Sequence, residues 1–127
     1  MKKEQEDEPI VEVKYYDDGS KKSETTFVNG VENGEYKSWY YGGKKLAWTG
    51  HYKNGLMDGE WREYDDYTGR LLGRETYKNG KLHGRLTGWD TRGTRIEDKL
   101  YLNGHMVKDM FDDDACEWLA ALREIFE

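Results

Sequence analysis

The sequence predicts a mainly β protein: an open antiparallel β-meander of about four repeats, closed by one C-terminal amphipathic helix. Three observations carry this. Asn-Gly recurs at Asn29-Gly30, Asn54-Gly55, Asn79-Gly80 and Asn103-Gly104, in steps of 25, 25 and 24 residues. Asn-Gly is a strong hairpin signal, because a type I′ turn needs positive φ at both central positions. A second turn glycine recurs between these pairs, at Gly19, Gly43, Gly69 and Gly93. The connections are therefore too short for anything but antiparallel neighbours.

Each element follows from this frame. Val11–Tyr16 reads as the second half of a truncated first repeat, because Tyr15 lies four residues before Gly19. The next strands fall at 22–28, 35–41, 46–53, 60–65, 71–78, 85–90, 95–102 and 105–110. Aromatic columns recur with the turns. Two residues before each Asn stand Phe27, Tyr52, Tyr77 and Tyr101; seven after it stand Tyr36, Trp61, Leu86 and Met110. Ten after it stand Trp39, Tyr64 and Trp89, a column that Tyr15 extends backwards. Such columns become cross-strand ladders. Eight or nine strands at the ordinary spacing give a twisted ribbon on the order of 40 Å long.

Composition agrees with a thin structure. The 127 residues suffice for one domain, with 35% hydrophobic and 36% charged residues. That balance leans towards disorder, but the 14% aromatic share does not, since disordered chains are poor in aromatics. Rings lying on a sheet with polar tips in water fit better than a thick aliphatic core. No apolar run approaches the ~20 residues of a membrane helix. The first residues, MKKEQEDEPI, lack the apolar stretch of a secretory signal. A single cysteine, Cys116, forms no internal disulfide, so a reduced, cytoplasmic setting is expected. The net charge of -6 argues against direct nucleic-acid binding.

The pattern Y-x-N-G-x-x-x-G-x-[YW]-x-x-[WY] resembles the variant MORN repeat, as in AWTGHYKNGLMDGEWREYD (47–65) and LGRETYKNGKLHGRLTGWD (72–90). Long arrays of this variant resemble bacterial YwqK-like antitoxins. The resemblance covers residues 11–110 and implies the repeat sheet and a protein-holding, immunity-type role. The chain departs from it at Lys108, which stands where Gly34, Gly59 and Gly84 stand in the other copies. The array is expected to end there.

The two ends differ from the middle. Residues 1–10 read as a polar N-terminal tail. Residues 111–127 read as an acidic helix packed on the last repeats, with Ala115, Trp118, Leu119, Leu122 and Phe126 on one face. Asp112, Asp113 and Asp114 suit its N-terminal end, and Asp114 with Glu117 resembles a capping box. Such a helix covers at most half of the ribbon and leaves an aromatic face open.

No constellation for chemistry emerges. His51, His83 and His105 lie in separate repeats and read as structural. Cys116 lacks a nearby histidine, and the aspartate run lacks EF-hand spacing. Asp17, Asp18, Asp65 and Asp66 belong to turns. The expectation is a non-enzymatic chain with no metal or cofactor. The aromatics either pack on one another or form a protein-binding surface, for which Tyr15, Trp39, Tyr40, Tyr41, Trp48 and Tyr64 are the candidate residues. The partner expected is a toxin, effector or enzyme. Two other readings stand beside it: a scaffold on membrane lipids using Lys44, Lys45, Arg70, Arg74, Arg92 and Arg95, and an acidic, phage-borne inhibitor of a nucleic-acid-processing enzyme.

Overall fold

The computed structural model describes residues 8–111. All but Phe111 of the expected 111–127 helix, and most of the 1–10 tail, lie outside the described residues. The described chain is one antiparallel sheet of eleven strands: β1 (Ile10–Tyr15), β2 (Lys21–Val28), β3 (Val31–Trp39), β4 (Leu46–Lys53), β5 (Leu56–Met57), β6 (Gly59–Tyr64), β7 (Leu71–Lys78), β8 (Lys81–Leu82), β9 (Gly84–Trp89), β10 (Arg95–Leu102) and β11 (His105–Asp109). The main path runs β1-β2-β3-β4-β6-β7-β9-β10-β11, with β5 on β4 and β8 on β7. This is the expected open meander. Among the described residues no helix is long and apolar enough to cross a membrane.

The turns have the expected chemistry. Asn29, Asn54, Asn79 and Asn103 have φ of 52°, 51°, 51° and 49°, and the glycines after them have φ of 78° to 87°. These asparagines are the positive-φ residues other than glycine among those described. Asparagine tolerates this left-handed conformation better than other side chains do. Because the turn takes only two residues, pairing resumes at once. Strand therefore begins at Val31, Leu56 and Lys81, earlier than the repeat pattern suggests.

In the first three repeats the second glycine after the Asn, at Gly34, Gly59 and Gly84, sits inside the ladder as a bulge. In the second repeat, Tyr52 pairs with Met57 whereas Thr49 pairs with Arg62, so the later strand carries two extra residues around Gly59. The same count holds around Gly34 and Gly84. At Gly34 φ is 133°, and a Cβ there would lie 2.8 Å from Thr26 Cγ2. Two extra residues preserve the alternation of side chains between faces. The fourth copy, with Lys108 in place of glycine, shifts by one residue: Tyr101 pairs with Met106 and Leu100 with Lys108. That exchanges the faces. Met110 therefore leaves the side of the sheet that carries Tyr36, Trp61 and Leu86, and packs with Leu100 and Val107 on the other.

Contacts between repeats tie both long edges. Along the Asn-Gly edge, the N–H groups of Gly55, Gly80 and Gly104 donate to the carbonyls of Glu32, Met57 and Leu82 at 2.8, 2.9 and 2.7 Å. Each turn is thus stacked on the strand beginning of the repeat before it. Along the opposite edge, the Tyr16 hydroxyl donates to the Trp39 carbonyl at 2.7 Å and the Tyr40 hydroxyl to the Tyr64 carbonyl at 2.6 Å. Asp18, Asp65 and Asp90 brace their turns by accepting backbone N–H bonds from Ser20, Thr68 and both Arg92 and Thr94. The Ser20 hydroxyl and then its N–H hold the Asp18 carboxyl below its ordinary pKa, and the Thr68 N–H and then its hydroxyl do the same for Asp65.

The core is thin, as the composition implies. Ala47, Trp61, Leu100 and Met110 are its buried hydrophobic residues among those described. Asp98 is 1% exposed and is clamped by Arg85, whose Nε and Nη2 donate to its two oxygens at 2.7 and 2.6 Å. Arg95 adds a third contact at 3.0 Å. A buried carboxylate is tolerated only when paired in this way. Replacing Asn54 with alanine forces a Cβ-bearing residue without asparagine's tolerance into the left-handed region. The expected cost is about 1 kcal/mol, read as a lower urea midpoint with an unchanged slope.

Candidate protein-binding face

The register assigns the two faces different chemistry. Following paired residues across the sheet, one face carries Phe27, Tyr36, Trp48, Tyr52, Met57, Trp61, Tyr77 and Tyr101. The other carries the row Glu24, Lys37, Thr49, Arg62, Arg74, Thr87 and Asp98. That row and its neighbours are laced by ion pairs, among them Lys21–Glu24 at 2.7 Å and Arg62–Glu60 at 2.6 Å. One face is therefore aromatic and the other ionic.

The centre of the aromatic face is a three-ring contact. Tyr36 stacks on Trp61 with centroids 5.4 Å apart, and Tyr52 meets both edge-on, at 5.9 and 5.1 Å. Trp61 is 4% exposed, although no second layer covers it among the described residues. Its ring lies on the bare backbone of Gly50, where a Cβ would stand 2.1 Å from Trp61 Cδ2. Its indole N–H donates to the His51 carbonyl at 3.2 Å. The missing side chain at Gly50 thus lets the ring lie flat, and Tyr36 and Tyr52 close over it.

Around these rings lies a groove of about 270 Å³ lined by Tyr36, Trp48, Tyr52, Met57, Trp61, Glu75 and Tyr77. A second hollow of about 440 Å³ adjoins it and shares Tyr36 and Trp48. Glu63 stands in the same row as Trp48, and Glu75 in the same row as Trp61. Burial, reinforced by the charge of Glu75, pushes the Glu63 carboxyl above its ordinary pKa. The Tyr77 hydroxyl donates to Glu75; burial first, and then this bond, push the phenol up.

Of the six residues singled out from the sequence, Trp39, Tyr40 and Trp48 meet at the second hollow, and the six are not brought together as one set. Trp48 lies on the aromatic face beside the groove. Tyr15, Trp39 and Tyr64 follow an odd spacing from that face and belong to the ionic one, where the Lys21 ammonium sits 5.3 Å above the Trp39 ring. Tyr40 and Tyr41 belong to the turn edge, where Tyr40 latches Tyr64 and Tyr41 donates to Asp17 at 3.0 Å. The residues the sequence reading passed over are Tyr36, Tyr52, Trp61, Tyr77, Glu63 and Glu75. Counting pairs outwards from the type I′ turn, with two extra residues at the second glycine, places the column before the Asn and the column after it on one face.

His83 has a structural bond, its Nδ1 accepting from the Asn103 N–H at 3.1 Å. No cluster of metal-ligating side chains occurs among the described residues. A comparison with family models, curated proteins and solved structures finds no match to this chain. The face must therefore be read from its own chemistry: flat aromatic area with a few carboxylates, suited to holding another molecule by contact.

Gly50→Ala should cost about 1–3 kcal/mol, because the Trp61 ring must leave its seat; loss of the hydrogen-bonded indole N–H resonance in NMR would report it. Glu63 has its folded pKa raised above the ordinary 4.5. The ionised form therefore destabilises the fold above the folded pKa, and the penalty fades as pH falls through that value towards the unfolded one. Glu63→Gln should raise stability at neutral pH and remove that part of the pH dependence, as denaturant titrations at both pH values would record.

Proposed function

We propose that this chain is a non-enzymatic binding protein that holds a toxin or effector protein, in the manner of an antitoxin or immunity partner. The observation that carries the reading is the aromatic face around Tyr36, Tyr52 and Trp61, with a groove open beside Trp48. Trp and Tyr offer large contact area with few rotors to freeze, and they dominate interface hot spots. The likeness of the repeats to variant MORN arrays of antitoxin type supports the same role. An acidic chain also suits a basic partner.

The lipid-scaffold reading gains less support. Lys44, Lys45, Arg70 and Arg92 do share the edge formed by the Gly19, Gly43, Gly69 and Gly93 turns, but Asp17, Asp18, Asp65, Asp66 and Asp90 lie along it too. Lys45 and Arg70 donate to the Tyr67 and Thr91 carbonyls. Arg74 lies over Trp89, and Arg95 is bound to Asp98. An edge of mixed sign gives little attraction to an anionic bilayer.

The test is co-expression with the product of the adjacent gene, followed by co-purification and growth rescue. Trp48→Ala should weaken the complex by about 2 kcal/mol or more, measured by calorimetry on protein shown to be folded by circular dichroism. Trp89→Ala, beside Arg74 on the ionic face, should leave the affinity unchanged. The reverse ranking would move the interface to the ionic face. Co-sedimentation with anionic vesicles and no protein complex would replace the reading with the lipid one.

A further inference from the structure

The aromatic groove carries charge of one sign. Glu75 lines it, Glu63 stands beside Trp48, and Glu32 lies close enough to raise the Tyr52 phenol's pKa, after burial. No lysine or arginine lines it, while Lys14 and Lys22 line the adjoining hollow, where the Lys22 ammonium sits over the Tyr16 ring. Cations on the neighbouring strands β6, β7, β9 and β10 are engaged elsewhere. Lys99 is held by Glu97 at 3.1 Å, Arg62 and Arg74 by Glu60 on the ionic face, and Arg85 and Arg95 by Asp98. Glu63 has no cationic partner among the described residues.

The arrangement has a defined shape. Trp48 pairs with Glu63, and Glu75 pairs with Trp61, on adjacent rows. The two carboxylates are diagonal neighbours, a relation that spans ~7–8 Å between backbones in a sheet. Beside Glu63 two successive strands contribute glycines to the row, Gly73 and Gly88, and the side chains of Glu63 and Glu97 lie against them. The result is a slot with the Trp48 indole on one side and carboxylates at its corners.

We propose that this slot receives an arginine side chain of the protein partner, its guanidinium lying against an indole and forking onto Glu63 or Glu75. The proposal rests on the reading of this face as the partner-binding surface and gives that surface its chemistry. A guanidinium fits better than an ammonium. It is planar and weakly hydrated, it stacks on aromatic faces, and its fork matches a carboxylate. It would also supply the counter-charge that Glu63 and Glu75 lack. Cation–π contact with an indole adds to the ion pair once water is excluded.

The probe is a short neutral peptide bearing one arginine, titrated into the full-length chain while the tryptophan indole N–H resonances are followed by NMR. Matched peptides carry lysine or the uncharged isostere citrulline instead. The expected result is a saturable shift centred on the Trp48 indole with the arginine peptide, weakened by salt, and absent with citrulline. Glu63→Gln and Glu75→Gln should each weaken arginine binding about tenfold, as expected for one charge-assisted contact, with unchanged circular dichroism. Equal binding of citrulline overturns the proposal, as does equal binding of lysine or insensitivity to both Gln variants. If the partner complex still depends on Trp48 in those cases, the protein-binding reading stands and only the arginine assignment falls. If arginine binds as expected but Trp48→Ala spares the complex, the slot exists and the partner docks elsewhere.

Discussion

The hydrogen bond from each Asn-Gly turn to the repeat before it is the contact on which the rest of this sheet depends. The N–H groups of Gly55, Gly80 and Gly104 reach the carbonyls of Glu32, Met57 and Leu82 at equivalent places in successive repeats. Those carbonyls are accessible because a type I′ turn folds the chain back within two residues. The stacked turns hold one long edge at a fixed pitch. With that edge fixed, the bulge at the second glycine recurs at the same height in the first three copies, and the ring columns fall into line.

A single-layer sheet cannot rely on a buried aliphatic core, and this one shows how its two faces compensate differently. The aromatic face covers itself. Trp61 is buried by Tyr36 and Tyr52 from above and by the backbone of Gly50 from below. The ionic face neutralises itself, with Glu60 between Arg62 and Arg74 and with Asp98 clamped by Arg85 and Arg95. Exposed ion pairs contribute little individually. The Asp98 clamp differs because its carboxylate is withdrawn from water, so losing Arg85 would leave a charge poorly satisfied.

Most of the fold was legible in the sequence because the turn residues are chemically specific. Asn29, Asn54, Asn79 and Asn103 announce positive φ, and their spacing fixes a meander. The candidate face was less legible. Trp39 and Tyr64 are as prominent as Trp61 and Tyr52, and only register parity separates them. That parity depends on how many residues each bulge holds, which a glycine's presence suggests but does not count. The strand starts at Val31, Leu56 and Lys81 were hidden for a related reason: the second glycine reads as a boundary, whereas it lies within the ladder. The carboxylates Glu63 and Glu75 carried no signal of their own, since only strand pairing puts them beside indoles.

The single-residue shift at Lys108 sets the length of the aromatic strip. Beyond it, the position that supplied Tyr36, Trp61 and Leu86 delivers Met110 to the opposite side, where it packs with Leu100. Within the described residues the pattern therefore ends through a change of phase. A chain continuing the same repeat after β11 would present its rings on the reverse surface. The reach of such a surface is thus written in whether a bulge holds an odd or an even number of residues.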